Sequence, residues 1–175
     1  MKYIKKLNFG SGQDYREGWV NADLEGADLN FDFEVFPYPI ADATYDYIYT
    51  AGVLDHLKDF FSVMRELHRI LKPGGVLKIN VPFYNCQTSW YPTHFNHFTF
   101  MHFYSFDPEH RKTFTVENKS DVGEVKFKIE IFKTVPGILG KLVPELKGNR
   151  PSFRYFLGMV FGEVVERLEV EMVKL

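Results

Sequence analysis

Between Tyr45 and Val81 the period of the hydrophobic pattern changes twice, and this restricts the fold more than any other feature of the chain. Tyr45-Asp46-Tyr47-Ile48-Tyr49-Thr50 is aromatic and β-branched, as a central strand should be, and it closes on Ala51-Gly52. From there Leu57, Phe60, Phe61, Met64, Leu67 and Leu71 recur at helical spacing, with Lys58, Arg65, Glu66 and Arg69 in the remainder, so an amphipathic helix is expected. Lys72-Pro73-Gly74-Gly75 stops it, because proline does not continue a helix and glycine accepts the left-handed angles of a C-terminal cap. Val76 to Val81 is the next strand. Strands joined through a helix pair in parallel, since parallel neighbours need a crossover, and that crossover is right-handed.

The flanks extend this α/β pattern. Tyr3 to Phe9 reads as a short buried strand leaving through Gly10-Ser11-Gly12, residues that tolerate unusual backbone angles. A polar connection, Gln13 to Glu17, leads to a second strand, Trp19 to Asp23, with Asp23 at its carboxyl end. A weak third strand is expected around Ala27 to Asp32, before Pro37 and Pro39 deny a regular ladder. Further on, Val125, Phe127, Ile129 and Ile131 alternate with Lys126, Lys128 and Glu130, and Leu168, Val170 and Met172 alternate with Glu169 and Glu171, as in two half-buried strands. Between them Pro136 to Glu166 is mainly helical in pattern but broken by Pro144, Gly148 and Pro151, which predicts a two-piece helical insertion.

Composition narrows the class. A chain of 175 residues with 45% hydrophobic and 25% charged side chains fits one domain with a sizeable core. Its 21 Lys and Arg against 23 Asp and Glu create no field that would draw in a polyanion, so no nucleic-acid partner is expected. The lone Cys86 forms neither an internal disulfide nor a thiolate zinc site, which fits a reducing cytoplasm. Met1 to Gly10 is too short in apolar residues for a signal peptide, and no apolar stretch reaches the roughly 20 residues of a membrane span.

A glycine turn leaving the first strand lets backbone approach a ligand closely, and a carboxylate ending the second can accept both hydrogen bonds of a ribose diol. Gly10, Gly12 and Asp23 fit those roles, although such a pair is common. Less common is the ordered run of motifs after it: Asp32, Phe36-Pro37-Tyr38-Pro39, the Asp46-Tyr47-Ile48 strand, Val53-Leu54-Asp55-His56-Leu57, Arg65-Glu66-Leu67-His68-Arg69 and Leu71-Lys72-Pro73-Gly74-Gly75. Through these motifs residues 4 to 83 resemble the class I S-adenosylmethionine-dependent methyltransferases of the small-molecule type.

The resemblance implies a Rossmann-like, mostly parallel seven-stranded sheet flanked by helices, with S-adenosylmethionine across its carboxyl edge. It places the Gly10-Ser11-Gly12 turn beside the methionine portion, Asp23 at the ribose, Asp32 and Phe33 near the adenine, and Thr50 and Ala51 by the amino group, with Leu24 also among the cofactor-binding residues. Asp55 and His56 border the meeting point of cofactor and acceptor, with Asp where many relatives carry Glu. Residues 1–83 would then form the cofactor-binding half, and 84–175 the acceptor cover and last strands. Two departures stand out: only ten residues separate Gly12 from Asp23, where many relatives place a helix, and little chain precedes the first strand. The N-terminal and first crossover helices are therefore expected to be reduced, leaving an exposed flank with room for a homodimer.

Phe83 to Phe106 holds ten aromatic side chains in 24 residues, more than a solvated loop needs, so it is expected to cover the site. Of its histidines, His94, His97 and His102, any could bind or deprotonate an acceptor hydroxyl or simply hydrogen-bond within an aromatic subcore; His94 is the first candidate base, with His56 beside it. His94-x-x-His97 has spacing for a metal pair, but no carboxylate lies between them and a third ligand is unassigned, so no metal is expected. The expected function is methyl transfer to a small molecule, by preference to a hydroxyl on a metabolite or saccharide precursor. The alternative is a catalytically degenerate binding or scaffold module. A nicotinamide enzyme fits poorly, because Tyr15 stands where a third glycine would open a helix.

Overall fold

A computed structural model gives the fold and describes residues 4–111, 122–143 and 148–175. Tyr3 and Pro144, expected to open the first strand and to break the late helical insertion, lie outside the described residues. Seven strands form one sheet: β1 (Lys6–Phe9), β2 (Val20–Asp23), β3 (Leu29–Asn30), β4 (Tyr45–Ala51), β5 (Leu71–Pro82), β6 (Phe127–Pro136) and β7 (Val165–Lys174). Their order is β3-β2-β1-β4-β5-β7-β6. The first five pair in parallel and β7 runs antiparallel to both its neighbours. β1 therefore lies between β2 and β4, where the chain reverses its direction of travel across the sheet, and ligands of open α/β sheets bind at such a switch point.

The helix between β4 and β5, α1 (Phe60–Ile70), starts at Asp59, whose side chain accepts the Ser62 N–H at 2.9 Å. It ends at Leu71, which is already extended, and the Gly74 φ of +72° falls where the sequence placed the stop. Its buried Val63, Met64, Leu67 and Ile70 share one core with Leu7 and Phe9 of β1, Ile48 of β4 and Leu77 and Ile79 of β5. Glu66, expected among the polar remainder, is buried instead: its carboxylate accepts the Tyr38 N–H and two N–H groups of Arg69, all within 2.8 Å. Burial pushes the Glu66 carboxyl up, but Arg69 and the Tyr38 N–H more than offset this and hold it below the ordinary range. Arg69 also donates to the Tyr38 and Ile40 carbonyls, so the proline turn is tied under the helix.

After β5 come α2 (Phe100–Tyr104), α3 (Pro108–Arg111) and α4 (Phe153–Val160). A short 3-10 turn at Leu139–Leu142 and α4 are the two pieces expected between the last strands. Phe98, Phe103 and Phe106 pack around Phe60 of α1, and Tyr155 of α4 packs against Phe83, Phe100 and Phe132. The alternate positions of the sheet form a polar and aromatic face, with Lys78 paired to Glu171 at 3.0 Å, Lys133 to Glu169 at 3.2 Å, and Arg16 over the Tyr49 ring at 3.8 Å. No helix among the described residues is long and apolar enough to cross a membrane.

Candidate active site

The crevice begins at the carboxyl end of β1. Gly10 has a φ of +76°, and its N–H and that of Ser11 both donate to the Ala22 carbonyl, which draws the turn over the end of β2. A Cβ at Gly10 would lie 2.1 Å from a methyl carbon of Val53, so the turn and the β4–α1 loop are in direct contact there. Asp23 closes the arrangement: its carboxylate accepts the Gly12 N–H at 2.6 Å and the Leu24 N–H at 2.7 Å. Four lone-pair sites serve a carboxylate, so two remain for a ligand diol.

The turn is held from beneath by a network absent from the sequence reading. Asn8 donates to the Asp14 carbonyl and to Asn21 Oδ1, while Asn21 accepts the Arg16 N–H and donates to Asp28. Tyr15 also donates to Asp28, at 2.9 Å. Asparagine is disfavoured in strand interiors, so its occurrence in both β1 and β2 was the available signal. Of the remaining cofactor candidates, Leu24 is exposed beside Asp23, Asp32 is exposed and accepts the Glu34 N–H, and Ala51 is half-buried. Ser11 is buried, as is Thr50, whose hydroxyl has no partner among the described residues. The Phe33 ring turns inward and stacks on Phe9 at 3.9 Å, so it braces the crevice from within the core.

At the other end, past β4, Asp55 meets the aromatic segment. The Phe95 N–H donates to the Asp55 carbonyl at 2.7 Å, and the Asn96 amide donates to the Leu54 and Leu57 carbonyls, stitching residues 95 and 96 to the loop. This places His94 Nε2 3.0 Å from Asp55 Oδ2, with His56 Nε2 3.7 Å from the same oxygen. The two imidazoles meet edge to face with centroids 4.4 Å apart. His56 Nδ1 lies 3.2 Å from the Thr93 carbonyl, and as a carbonyl only accepts, Nδ1 carries an N–H, which in the neutral ring leaves the lone pair on Nε2.

The other two histidines go elsewhere. His97 bonds to Ser89 and stacks on Trp90; His102 Nδ1 accepts the Thr99 N–H inside the aromatic core, where burial lowers its pKa. Among the three, only His94 contacts the β4–α1 loop through its ring.

Residues 13–79 match the methyltransferase domain family. Over that stretch, less than half of its length, the chain is similar to methyltransferase domains. S-adenosylmethionine is the cofactor of that family. Among curated proteins, the demethylmenaquinone methyltransferase of Listeria monocytogenes is 36% identical over 62 residues, 35% of this chain and 26% of that protein. The sterol 24-C-methyltransferase of Eremothecium gossypii is 32% identical over 77 residues, 44% of this chain and 17% of that protein. The chain thus spans about a quarter and a sixth of these relatives. An S-adenosylmethionine-dependent methyltransferase structure from Thermotoga maritima aligns with all of this chain and 84% of its own, at a TM-score of 0.58 and 13% identity, a likeness of fold.

Proposed function

We propose that this domain binds S-adenosylmethionine in the crevice between the Gly10–Gly12 turn and Ala51 and transfers its methyl group to a hydroxyl oxygen of a small molecule held under residues 83–106. The observation that carries the reading is the convergence, on adjacent parallel strands, of a carboxylate-anchored glycine turn at Asp23 with the Asp55–His94 contact of 3.0 Å. Methyl transfer breaks the sulfonium S–C bond and forms an O–C bond, and sulfur leaves as a neutral thioether. The protein needs no general acid; it positions the acceptor and excludes water. His56 Nε2, on a side chain 45% exposed, is open to take the hydroxyl proton, while His94 is held by Asp55. The exposed rings of Tyr91 and Phe95 offer an apolar wall beside them. The relatives named above take small-molecule acceptors by name, which supports that substrate class.

Calorimetric titration with S-adenosylhomocysteine tests the cofactor half. Asp23→Ala removes an acceptor of two charge-assisted hydrogen bonds worth roughly 1.5 to 3 kcal/mol each, so affinity should fall by about a hundredfold or more. No saturable binding by the wild type at millimolar ligand would overturn the reading in favour of a scaffold role, and binding indifferent to Asp23→Ala would move the cofactor elsewhere. An acceptor screen with mass detection of a methyl gain then tests turnover.

A further inference from the structure

Asp55 is 1% exposed, and its Oδ1 has no partner among the described residues. A buried carboxylate served at one oxygen alone is expensive, because desolvation of the charge is met by little compensation. The groups nearest to Oδ2 are not hydrogen-bond donors of fixed charge but two imidazole nitrogens, His94 Nε2 at 3.0 Å and His56 Nε2 at 3.7 Å, and one ligand atom from each of the three residues lies within 4.8 Å of the others. Two ligands bound at about 2.1 Å lie about 3.0 to 3.4 Å apart in octahedral or tetrahedral geometry, so the two spacings to Asp55 need changes of about 0.7 Å or less, and the two imidazole nitrogens, within 4.8 Å of each other, close by side-chain rotation.

We propose that Asp55, His56 and His94 form a three-ligand site for a divalent first-row transition ion of the zinc class. Two imidazoles and one carboxylate suit zinc and its neighbours better than magnesium or calcium, which take oxygen ligands. The second sphere agrees: the His56 Nδ1–H on the Thr93 carbonyl fixes the tautomer whose Nε2 lone pair faces Asp55, as ligating histidines ordinarily require. His94 Nδ1 has no partner among the described residues, so ligation through Nε2 leaves its Nδ1–H unserved and the second-sphere support comes from His56 alone. The side chains come from two segments stitched by the Phe95 and Asn96 bonds, so the fold and not the cation holds them together.

Three protein ligands leave a coordination position open. Its use rests on the methyl-transfer reading above, with one change: with the cation bound, His56 Nε2 would serve as a ligand and not as the base, and the acceptor's hydroxyl oxygen would sit at the open position, lose its proton to solvent water and take the methyl group as the sulfonium S–C bond breaks. The cation binding itself does not depend on that reading.

The test is equilibrium dialysis of chelator-stripped, full-length protein against zinc at micromolar concentration, with cobalt(II) as a spectroscopic probe and S-adenosylhomocysteine titrated separately. One zinc per chain is expected, with affinity falling by roughly tenfold or more in each of His56→Gln and His94→Gln. His56 is partly exposed, so its variant folds even where an Asp55 variant does not. Bound cobalt should show visible bands without a thiolate charge-transfer band, since Cys86 is no ligand. Substoichiometric zinc, or zinc retained undiminished by both variants, would overturn the proposal. Zinc without S-adenosylhomocysteine binding sinks the methyl-transfer reading and leaves the metal site; the reverse leaves the reading and removes the site.

Discussion

Gly10→Ala separates two costs that the crevice imposes on one residue. The φ of +76° places an L-residue in the left-handed region, at about 1 to 2 kcal/mol. The new Cβ would also stand 2.1 Å from Val53 Cγ2 and 3.1 Å from Val53 Cβ, an overlap that Val53 can relieve only by leaving the Gly10 turn, at about 1 to 3 kcal/mol. The single variant should therefore lose about 2 to 5 kcal/mol. Val53→Ala deletes the methyl carbons that collide but leaves the backbone strain, so the double variant should recover about 1 to 3 kcal/mol relative to additivity. Urea denaturation followed by circular dichroism on all four proteins reads both quantities, provided the slopes agree. A Gly10→Ala loss under about 0.5 kcal/mol, or a cycle additive within the same margin, would refute the idea that Gly10 is required by its turn and by its contact with the β4–α1 loop.

Glu66→Gln keeps the shape of the side chain but removes the charge that Arg69 faces. Because Arg69 is partly exposed, the expected loss is about 1 to 3 kcal/mol, short of a fully buried pair, and a urea midpoint equal to the wild type's would count against it. His68 supplies a pH dependence: burial, and then the charge of Lys174, lower its pKa from 6.5 to about 4. The folded protein thus disfavours the protonated ring, stability is full above about pH 6.5, and it declines as pH falls from there to about 4 while the unfolded chain alone binds the proton. Two and a half units correspond to at most about 3 kcal/mol. His68→Leu should flatten that slope relative to the wild type, and parallel stability–pH curves would show that His68 is not its source.

The parallel core of the sheet was legible because its strands carry strong local signals: β4 is aromatic and β-branched, and α1 repeats at helical spacing between a capping aspartate and a Pro-Gly-Gly stop. β3 was faint for a physical reason, since it is a two-residue edge strand, Leu29–Asn30, that buries little. In β6 the alternation through Ile131 misleads. The register shifts between Ile129 and Ile131, which turns Ile131 outward at 38% exposure and buries Phe132. A bulge leaves no mark on period-two counting. The glycine turn and Asp23 were readable from the order of motifs along the chain. Which histidine of the aromatic segment would reach Asp55 was not, because His94, His97 and His102 sit in similar surroundings, and the choice depends on the bonds that Phe95 and Asn96 make to a loop about forty residues earlier.

The short connection between β1 and β2 bears on which ligand the crevice suits. Residues 10–19 contain no helix, so the glycine turn does not open one, and there is no helix N-terminus there to gather backbone N–H groups and a positive dipole around a pyrophosphate. In its place stand two buried asparagines, Asn8 and Asn21, which anchor the connection through Asp14, Arg16 and Asp28. What this loop presents to the crevice is a carboxylate with free lone pairs at Asp23, a group that accepts hydroxyls and repels phosphates. A dinucleotide would lose its main anchor here, whereas a nucleoside bearing a free ribose diol and no phosphate keeps its own.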